Sequence, residues 1–112
     1  MTVYVDDVRH RFRHMVMCHM WADSLDELLA MADLIGVQRK WLQQPPAASW
    51  VHFDISLGKK SIAIEAGAVL TDRYGPIEHL ARIEAAADDP GRAARGRSQL
   101  IRIARVRALA SA

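Results

Sequence analysis

The stretch at residues 15–36, MVMCHMWADSLDELLAMADLIG, contains the clearest strand and helix patterns in the sequence. Its first part, residues 15–22, is a nearly unbroken apolar run, typical of a strand covered on both faces, although a short buried helix has the same pattern. Its second part predicts a helix from Ser24 to Ile35. Ser24 and Glu27 have the spacing of a capping box, and the glycine after Ile35 is a suitable helix stop.

Outward from this unit, strands and helices alternate along the chain. We expect short strands at residues 2–6, 50–55 and 68–71, and helices at residues 56–66, 76–87 and 98–109. Residues 8–14 indicate a loop or short connector, residues 38–49 an extended loop, and residues 88–97 a linker. This alternation predicts an α/β fold: a small single domain with a three- or four-stranded sheet flanked by helices, plus a basic C-terminal helix.

The length of 112 residues and the composition limit the classes of protein that are compatible. A chain of this size suits one domain that buries about two thirds of the surface exposed when unfolded. The composition excludes a disordered polyelectrolyte, a collagen-like fibre and a disulfide scaffold. We place the α/β domain at residues 1–88 and a basic linker with an amphipathic helix at residues 89–112.

Charge is distributed unevenly along the chain. Residues 1–89 contain all 13 acidic residues and nine of the 15 Lys and Arg, whereas residues 90–112 contain six Arg and no acid. A basic segment of this kind, including Arg102 and Arg105, suits contact with nucleic acid or an acidic protein partner, self-association into a homo-oligomer, or packing on the chain's own acidic residues.

Cysteine content and hydropathy indicate the cellular compartment and whether the chain enters a membrane. Cys18 is the only cysteine, so no intrachain disulfide forms, and the first residues show no signal peptide. The longest stretch without formal charge, residues 41–53, is too short to cross a bilayer. We therefore expect a soluble, cytoplasmic protein that does not enter a membrane.

Polar residues punctuate the predicted strands and form the candidate site. They are Asp6, Asp7, His19, Asp23, His52 and Asp54. His52 and Asp54 lie on one face of their strand because side chains alternate. Imidazole and carboxylate together suit a divalent metal such as Zn or Mn, and carboxylates alone suit Mg or Mn. Open α/β sheets place their binding sites where strands end, so these side chains can lie close together if their strands are neighbours.

Two functions from different classes are compatible with these residues. In the first, Asp6, Asp7, His52 and Asp54 hold a divalent metal in a hydrolase of a phosphoester, nucleotide or nucleic acid. There, His19 or Asp23 orients ligands or acts as the general base, and Arg39 or Lys60 receives the phosphate. In the second, the chain is a binding module without chemistry that uses residues 90–112. Ordinary structural roles, such as turn capping by the aspartates and core packing by His19, stay open for the same residues.

A series of short motifs gives this chain a resemblance to a known family. They are VYVDD at 3–7, CHMWAD at 18–23, LDELLAMADLIG at 25–36, Arg39 with Trp41 and Gln43, HFD at 52–54, Lys59-Lys60 and GAV at 67–69. Over residues 2–71 the chain resembles the bacterial and phage family called domain of unknown function 4031. The resemblance implies no established activity, and the family pattern includes the same polar set. It often has His where this chain has Leu29.

Overall fold

The computed structural model describes residues 2–111, and it confirms the mixed α/β class. In chain order the strands are β1 Val3–Val5, β2 His10–Phe12, β3 Met15–Ala22, β4 Phe53–Ser56 and β5 Val69–Leu70. The helices are α1 Leu25–Ile35, α2 Leu57–Glu65, α3 Gly75–Ala85 and α4 Pro90–Ser111, with a 3₁₀ turn at Arg39–Trp41. The chain divides between Arg73 and Tyr74 into two compact units.

Strand β3 organises the sheet of the first unit. It pairs antiparallel with β2 through its first residues and with β1 through its last. It also pairs antiparallel with β4, where His19 lies opposite Asp54. Strand β5 runs parallel to β1. The sheet has five strands, more than the three or four expected, because β2 adds a hairpin.

The two faces of the sheet differ in chemistry, as side-chain alternation requires. On one face the buried residues Cys18, Met20, Phe53 and Ile55 form the core together with apolar residues of α1 and α2. The other face has the alternate residues of the same strands, which include His19 on β3 and Asp54 on β4. The alternation of Val3 and Val5 against Tyr4 and Asp6 is likewise present, with both valines in the core.

Helix α1 forms where its capping residues predict it. The Ser24 hydroxyl accepts a hydrogen bond from the Glu27 backbone N–H at 3.2 Å, as an N-cap does, and donates to the Glu27 carboxylate at 2.9 Å. The helix ends at Gly36, whose φ of +81° is readily adopted by glycine. The Lys59 ammonium donates to the Ile35 carbonyl at 2.8 Å, so α2 satisfies one of the carbonyls that the last turn of α1 leaves without an intrahelical partner.

The connector expected at residues 8–14 was wrong in part, because His10–Phe12 form β2. Its residues pair with Met15–Met17 across a tight turn in which Arg13 has a φ of +58°. Alternating Arg and His obscured the strand, since β2 is mostly exposed and has no apolar pattern to reveal it. The strand expected at residues 50–55 begins at Phe53; His52 forms an isolated bridge with Gln43.

The second unit consists of α3 and α4, and α4 corrects the linker predicted at residues 88–97. Pro90 opens the helix, and Asp89 accepts a hydrogen bond from the Arg92 backbone N–H at 2.8 Å. Gly96 is buried against α3, where a Cβ atom would lie 2.2 Å from the Ala85 backbone nitrogen. Gly96, which falls within the predicted linker, instead permits close packing of α3 and α4.

Ion pairs join the two helices of the second unit. Glu78 pairs with Arg82 at 3.2 Å and also with Arg107, while Arg92 lies 4.0 Å from Glu84. Part of the basic charge of α4 is therefore balanced by acidic residues of α3. Within residues 2–111, no helix combines the length and the apolar character that crossing a bilayer requires.

Candidate metal centre

Three side chains converge on the polar face of the sheet in the first unit. His19 on β3 lies opposite Asp54 on β4, and His52 precedes Asp54 by two residues. His52 Nε2 is 3.5 Å from Asp54 Oδ1, and His19 Nε2 is 3.8 Å from the same oxygen. One ligand atom from each residue lies within 4.8 Å of the others. The register of two paired strands therefore builds a compact cluster of two imidazoles and one carboxylate.

Both imidazoles are anchored through Nδ1, which leaves Nε2 facing the cluster. His19 Nδ1 lies 2.8 Å from Asp6 Oδ2, and the other oxygen of this fully buried carboxylate accepts from the His19 backbone N–H at 3.0 Å. His52 Nδ1 lies 3.1 Å from the Trp50 carbonyl oxygen. A carboxylate and a carbonyl accept hydrogen bonds, so each Nδ1 carries a proton, and when the ring is neutral its lone pair lies on Nε2.

Asp54 completes the cluster with one satisfied and one unsatisfied oxygen. Its Oδ2 accepts a hydrogen bond from the Gln43 amide at 2.6 Å. Its Oδ1 is buried and has no hydrogen-bond partner among the residues that the structure describes. Buried polar oxygens are normally paired, and a cation held between this oxygen and the two Nε2 atoms would satisfy it. His10 stands at the edge, with Nε2 4.0 Å from Oδ2.

Two pKa shifts follow from these contacts. The hydrogen bond with Asp6 raises the pKa of His19 above its usual range, despite partial burial. The imidazole of His52, together with the Gln43 amide, lowers the pKa of Asp54 although burial opposes this. Asp54 is therefore ionised at neutral pH, as a metal ligand must be.

The spacing of the cluster suits a first-row divalent ion. Ligands at about 2.0–2.1 Å from a tetrahedral zinc ion are about 3.3 Å apart. Two of the three separations, 3.5 and 3.8 Å, exceed this by a few tenths of an ångström, and the third lies within 4.8 Å, so side-chain rotations are needed to close the set around an ion. Anchoring of a ligand histidine by a carboxylate or carbonyl on its other nitrogen is the usual outer-shell arrangement of such sites. The residues present therefore fit a metal ion.

Aromatic rings support one side of the cluster. The Trp50 ring is stacked on His52, with ring centroids 4.2 Å apart and an interplanar angle of 13°. Trp21 contacts Trp50 at 5.7 Å and stacks on Tyr4 at the same distance. This packing fixes the orientation of His52, whose side chain is only 6% exposed.

A groove adjoins the other side. It has a volume of about 540 Å³, and Asp54 and Gln43 belong to its wall as well as to the cluster. The remaining lining residues come from β2, β3, β4, α2 and the segment that follows α1: Phe12, Met15, Met17, Gly36, Val37, Gln38, Trp41, Ile55, Ser56 and Lys59. The volume lies in the range of small-molecule sites.

The structure brings together some of the residues predicted as ligands and separates others. His52 and Asp54 lie in the cluster, and His19 joins them at ligand distance rather than as a remote base. Asp6 lies behind His19 as its anchor. Asp7 is exposed, as is Asp23, whose carboxylate accepts from the Thr2 backbone N–H and the Tyr4 hydroxyl, each at 3.0 Å.

The predicted phosphate-binding residues are dispersed. Arg39 makes a bidentate pair with Asp33 at 3.1 and 2.7 Å. Lys60 is half-buried on α2, and Arg102 and Arg105 are exposed on α4 in the second unit. Lys59, the neighbour of Lys60, is the basic residue that lines the groove.

Sequence reasoning missed two residues of the site. His10 lay in a segment interpreted as a connector, and only recognition of a β2–β3 hairpin would have placed it beside His19. Gln43 lay in an extended loop, and its bridge to His52 has no signature in sequence. Both depend on pairings between separated segments.

Comparison with known proteins identifies the family. The family model described as "Protein of unknown function (DUF4031)" matches residues 3–84, most of the chain, so the chain belongs to that family. The match includes every residue of the cluster. No curated protein and no solved structure matches the chain.

Proposed function

We propose that the first unit is a divalent-metal-dependent hydrolase whose ligands are His19, His52 and Asp54. The observation that carries this proposal is the buried Asp54 Oδ1, which has no hydrogen-bond partner among the described residues and lies 3.5 Å from His52 Nε2 and 3.8 Å from His19 Nε2. Three protein ligands leave coordination positions for water and substrate, which distinguishes a catalytic site from a closed structural one. The mixed nitrogen and oxygen set favours Zn or Mn over Mg.

Each residue has a distinct role in this proposal. A divalent ion held by the three ligands would acidify a water and polarise the bond to be cleaved. Asp6 keeps His19 in the tautomer that presents Nε2. His10, 4.0 Å from Asp54 Oδ2, would accept a proton from the attacking water and return it to the oxygen of the leaving alcohol. Asp7 and Asp23 have no part in it.

For the substrate we propose a phosphoester, a class that includes nucleotides and nucleic acid. Support comes from positive charge near the groove: Lys59 lines it, and the Lys40 ammonium lies 5.1 Å from the ring centroid of Trp41. Hydrolysis would add the oxygen of water to phosphorus and release an alcohol. Lys60, which follows Lys59 in the sequence, is a further candidate for binding the phosphate.

A thermal-shift titration with Zn, Mn, Mg and Ni tests the metal centre. A metal that binds only the folded state at a hundredfold excess over Kd stabilises it by about 2.7 kcal/mol. We expect a saturable rise in Tm in the wild type that is lost in Asp54→Asn and His19→Gln. Asp7→Asn and His14→Gln are matched controls, because both residues are exposed and lie outside the cluster.

Two outcomes would contradict the proposal. If none of the four metals raises Tm, or if Asp7→Asn removes the rise as fully as Asp54→Asn does, the cluster is not the metal site. If metal binds but neither a phosphomonoester nor a phosphodiester is hydrolysed faster than by Asp54→Asn, the site is not a phosphoesterase.

A second candidate function rests on α4. This helix has six arginines and no acid among residues 90–111, and Arg102 and Arg105 are exposed. We propose, as the alternative, that it binds nucleic-acid phosphates. Each phosphate contact contributes a slope of about −0.9 to the dependence of log K on log salt. Arg102→Gln with Arg105→Gln should therefore reduce the slope by about two, and an unchanged slope would contradict the alternative.

A further inference from the structure

The groove beside the metal cluster has an apolar lining that folding alone does not explain. Phe12 is 57% exposed, Met15 47% and Trp41 62%, and they come from three separate elements around one concavity. Exposed apolar surface is unfavourable in water, and its concentration around a concave site is typical of ligand binding. The lining of this groove therefore indicates an apolar part of the ligand.

The side chains in this lining suit a flat ring. Indole stacks with aromatic rings, and thioether sulfur makes favourable contacts with them. Met15 and Met17 adapt in shape, because methionine has an unbranched and flexible side chain. The groove thus combines a rigid stacking surface, Trp41, with two adaptable contacts.

The charged groups place the polar part of the same ligand. Asp54 belongs both to the cluster and to the groove wall, so a ligand in the groove has one end at the metal centre. Lys59 in the lining uses one of its three N–H donors on the Ile35 carbonyl. The occupant therefore combines an anionic group beside the cluster with a ring among Trp41, Met15 and Met17.

We propose that this groove binds the aromatic ring of an aryl or nucleoside phosphoester whose phosphate lies at the His19–His52–Asp54 cluster. This inference rests on the proposed function and specifies its substrate. Trp41 is then a specificity-determining residue, because it contacts the ring and not the reacting phosphate.

Two tryptophans allow the two proposals to be tested separately. The chain has three tryptophans, and their indole N–H signals in a ¹⁵N NMR spectrum can be assigned with Trp→Phe variants. Trp50 stacks on His52 and reports on metal, whereas Trp41 lines the groove and reports on a ring. Zinc alone should shift the Trp50 signal, and phenylphosphonate, which has no hydrolysable ester, should shift the Trp41 signal.

Matched ligands and variants define the expected result for the full chain, with and without zinc. Phenylphosphonate should bind about tenfold more tightly than methylphosphonate, the effect of one stacked ring. Trp41→Ala should remove that advantage while the affinities for zinc and methylphosphonate stay unchanged. Leu34→Ala removes a 68% exposed side chain of α1 outside the groove and should leave the tighter binding of phenylphosphonate unchanged.

The outcomes distinguish a nucleoside ring from a simple aryl ring, and ring binding in the groove from metal binding at the cluster. On the metal-free protein, the affinity for adenosine 5′-monophosphate is compared with that for ribose 5-phosphate to test binding of a nucleoside ring. Phenylphosphonate tests binding of a simple aryl ring. A saturable shift of the Trp41 signal with either ligand supports ring binding in the groove. Equal affinities of the phenyl and methyl compounds, or equal weakening of both by Trp41→Ala, overturn the inference and leave the metal centre standing. An unshifted Trp50 signal with zinc refutes the metal centre alone.

Discussion

Replacing Asp6 with Asn tests how the protein holds His19. The carboxylate is fully buried and accepts two hydrogen bonds from His19, one from the backbone N–H at 3.0 Å and one from Nδ1 at 2.8 Å. In Asp6→Asn the amide oxygen keeps the backbone bond, so the amide NH₂ faces Nδ1. Two donors cannot face each other; the ring proton moves to Nε2, and the lone pair leaves the metal site.

The expected loss follows from the role of such anchors. Removing the outer-shell partner of a ligand histidine typically costs about 10- to 100-fold in metal affinity, which is about 1.4–2.8 kcal/mol. The metal-free protein also loses charge-assisted hydrogen bonds, each with a net value of about 1.5–3 kcal/mol. The metal affinity must therefore be measured at a temperature at which the variant is still folded, and circular dichroism checks this.

Competition with a chromophoric chelator gives the zinc Kd of the wild type, Asp6→Asn and Asp7→Asn. We expect a loss in Asp6→Asn alone, and ¹⁵N shifts of the His19 ring should report the changed tautomer. A Kd of Asp6→Asn within twofold of the wild type would refute the reasoning, because His19 would then present Nε2 without its anchor. An equal loss in Asp7→Asn would show a general effect of negative charge rather than of the tautomer.

Two further predictions concern pH and helix packing. Asp6 raises the pKa of His19 above its usual value of 6.5. In the metal-free protein the pair therefore contributes stability that is fully present below pH 6.5 and is lost as pH rises through the folded-state pKa. Tm between pH 6 and 9 should show this loss in the wild type and not in Asp6→Asn. Gly96→Ala places a Cβ atom 2.2 Å from the Ala85 nitrogen and should cost about 1–3 kcal/mol in chemical denaturation, whereas Gly91→Ala, with its nearest contact at 3.3 Å, should change stability by less than about 0.5 kcal/mol. An equal effect of the two glycine substitutions would contradict the close packing of α3 and α4.

Local signals predicted the first unit well. The Ser24 cap on the Glu27 backbone N–H, the glycine at the end of α1 and the first short strand all depend on neighbouring residues, and each is present. The sequence also predicted that His52 and Asp54 point the same way, since their side chains have the spacing of a strand. Interactions of this range are encoded in short windows of sequence.

Interactions between distant segments explain what the sequence could not predict. Asp6 resembled a ligand because spacing does not show that it lies behind His19. The exposed strand β2 has no apolar alternation, so His10 was hidden. Gly96 has the appearance of a break, and only the presence of Ala85 across the helix pair shows that it serves packing.

The alternation along β3 has a consequence for register. Cys18 and Met20 lie in the core, and His19 between them belongs to the His19–His52–Asp54 cluster. A slip of one residue against β4 would turn His19 into the apolar layer and move its Nε2 away from Asp54. Metal captured by this site would therefore select the native alignment of the two strands, and a misaligned hairpin would be recognisable by its failure to retain the ion.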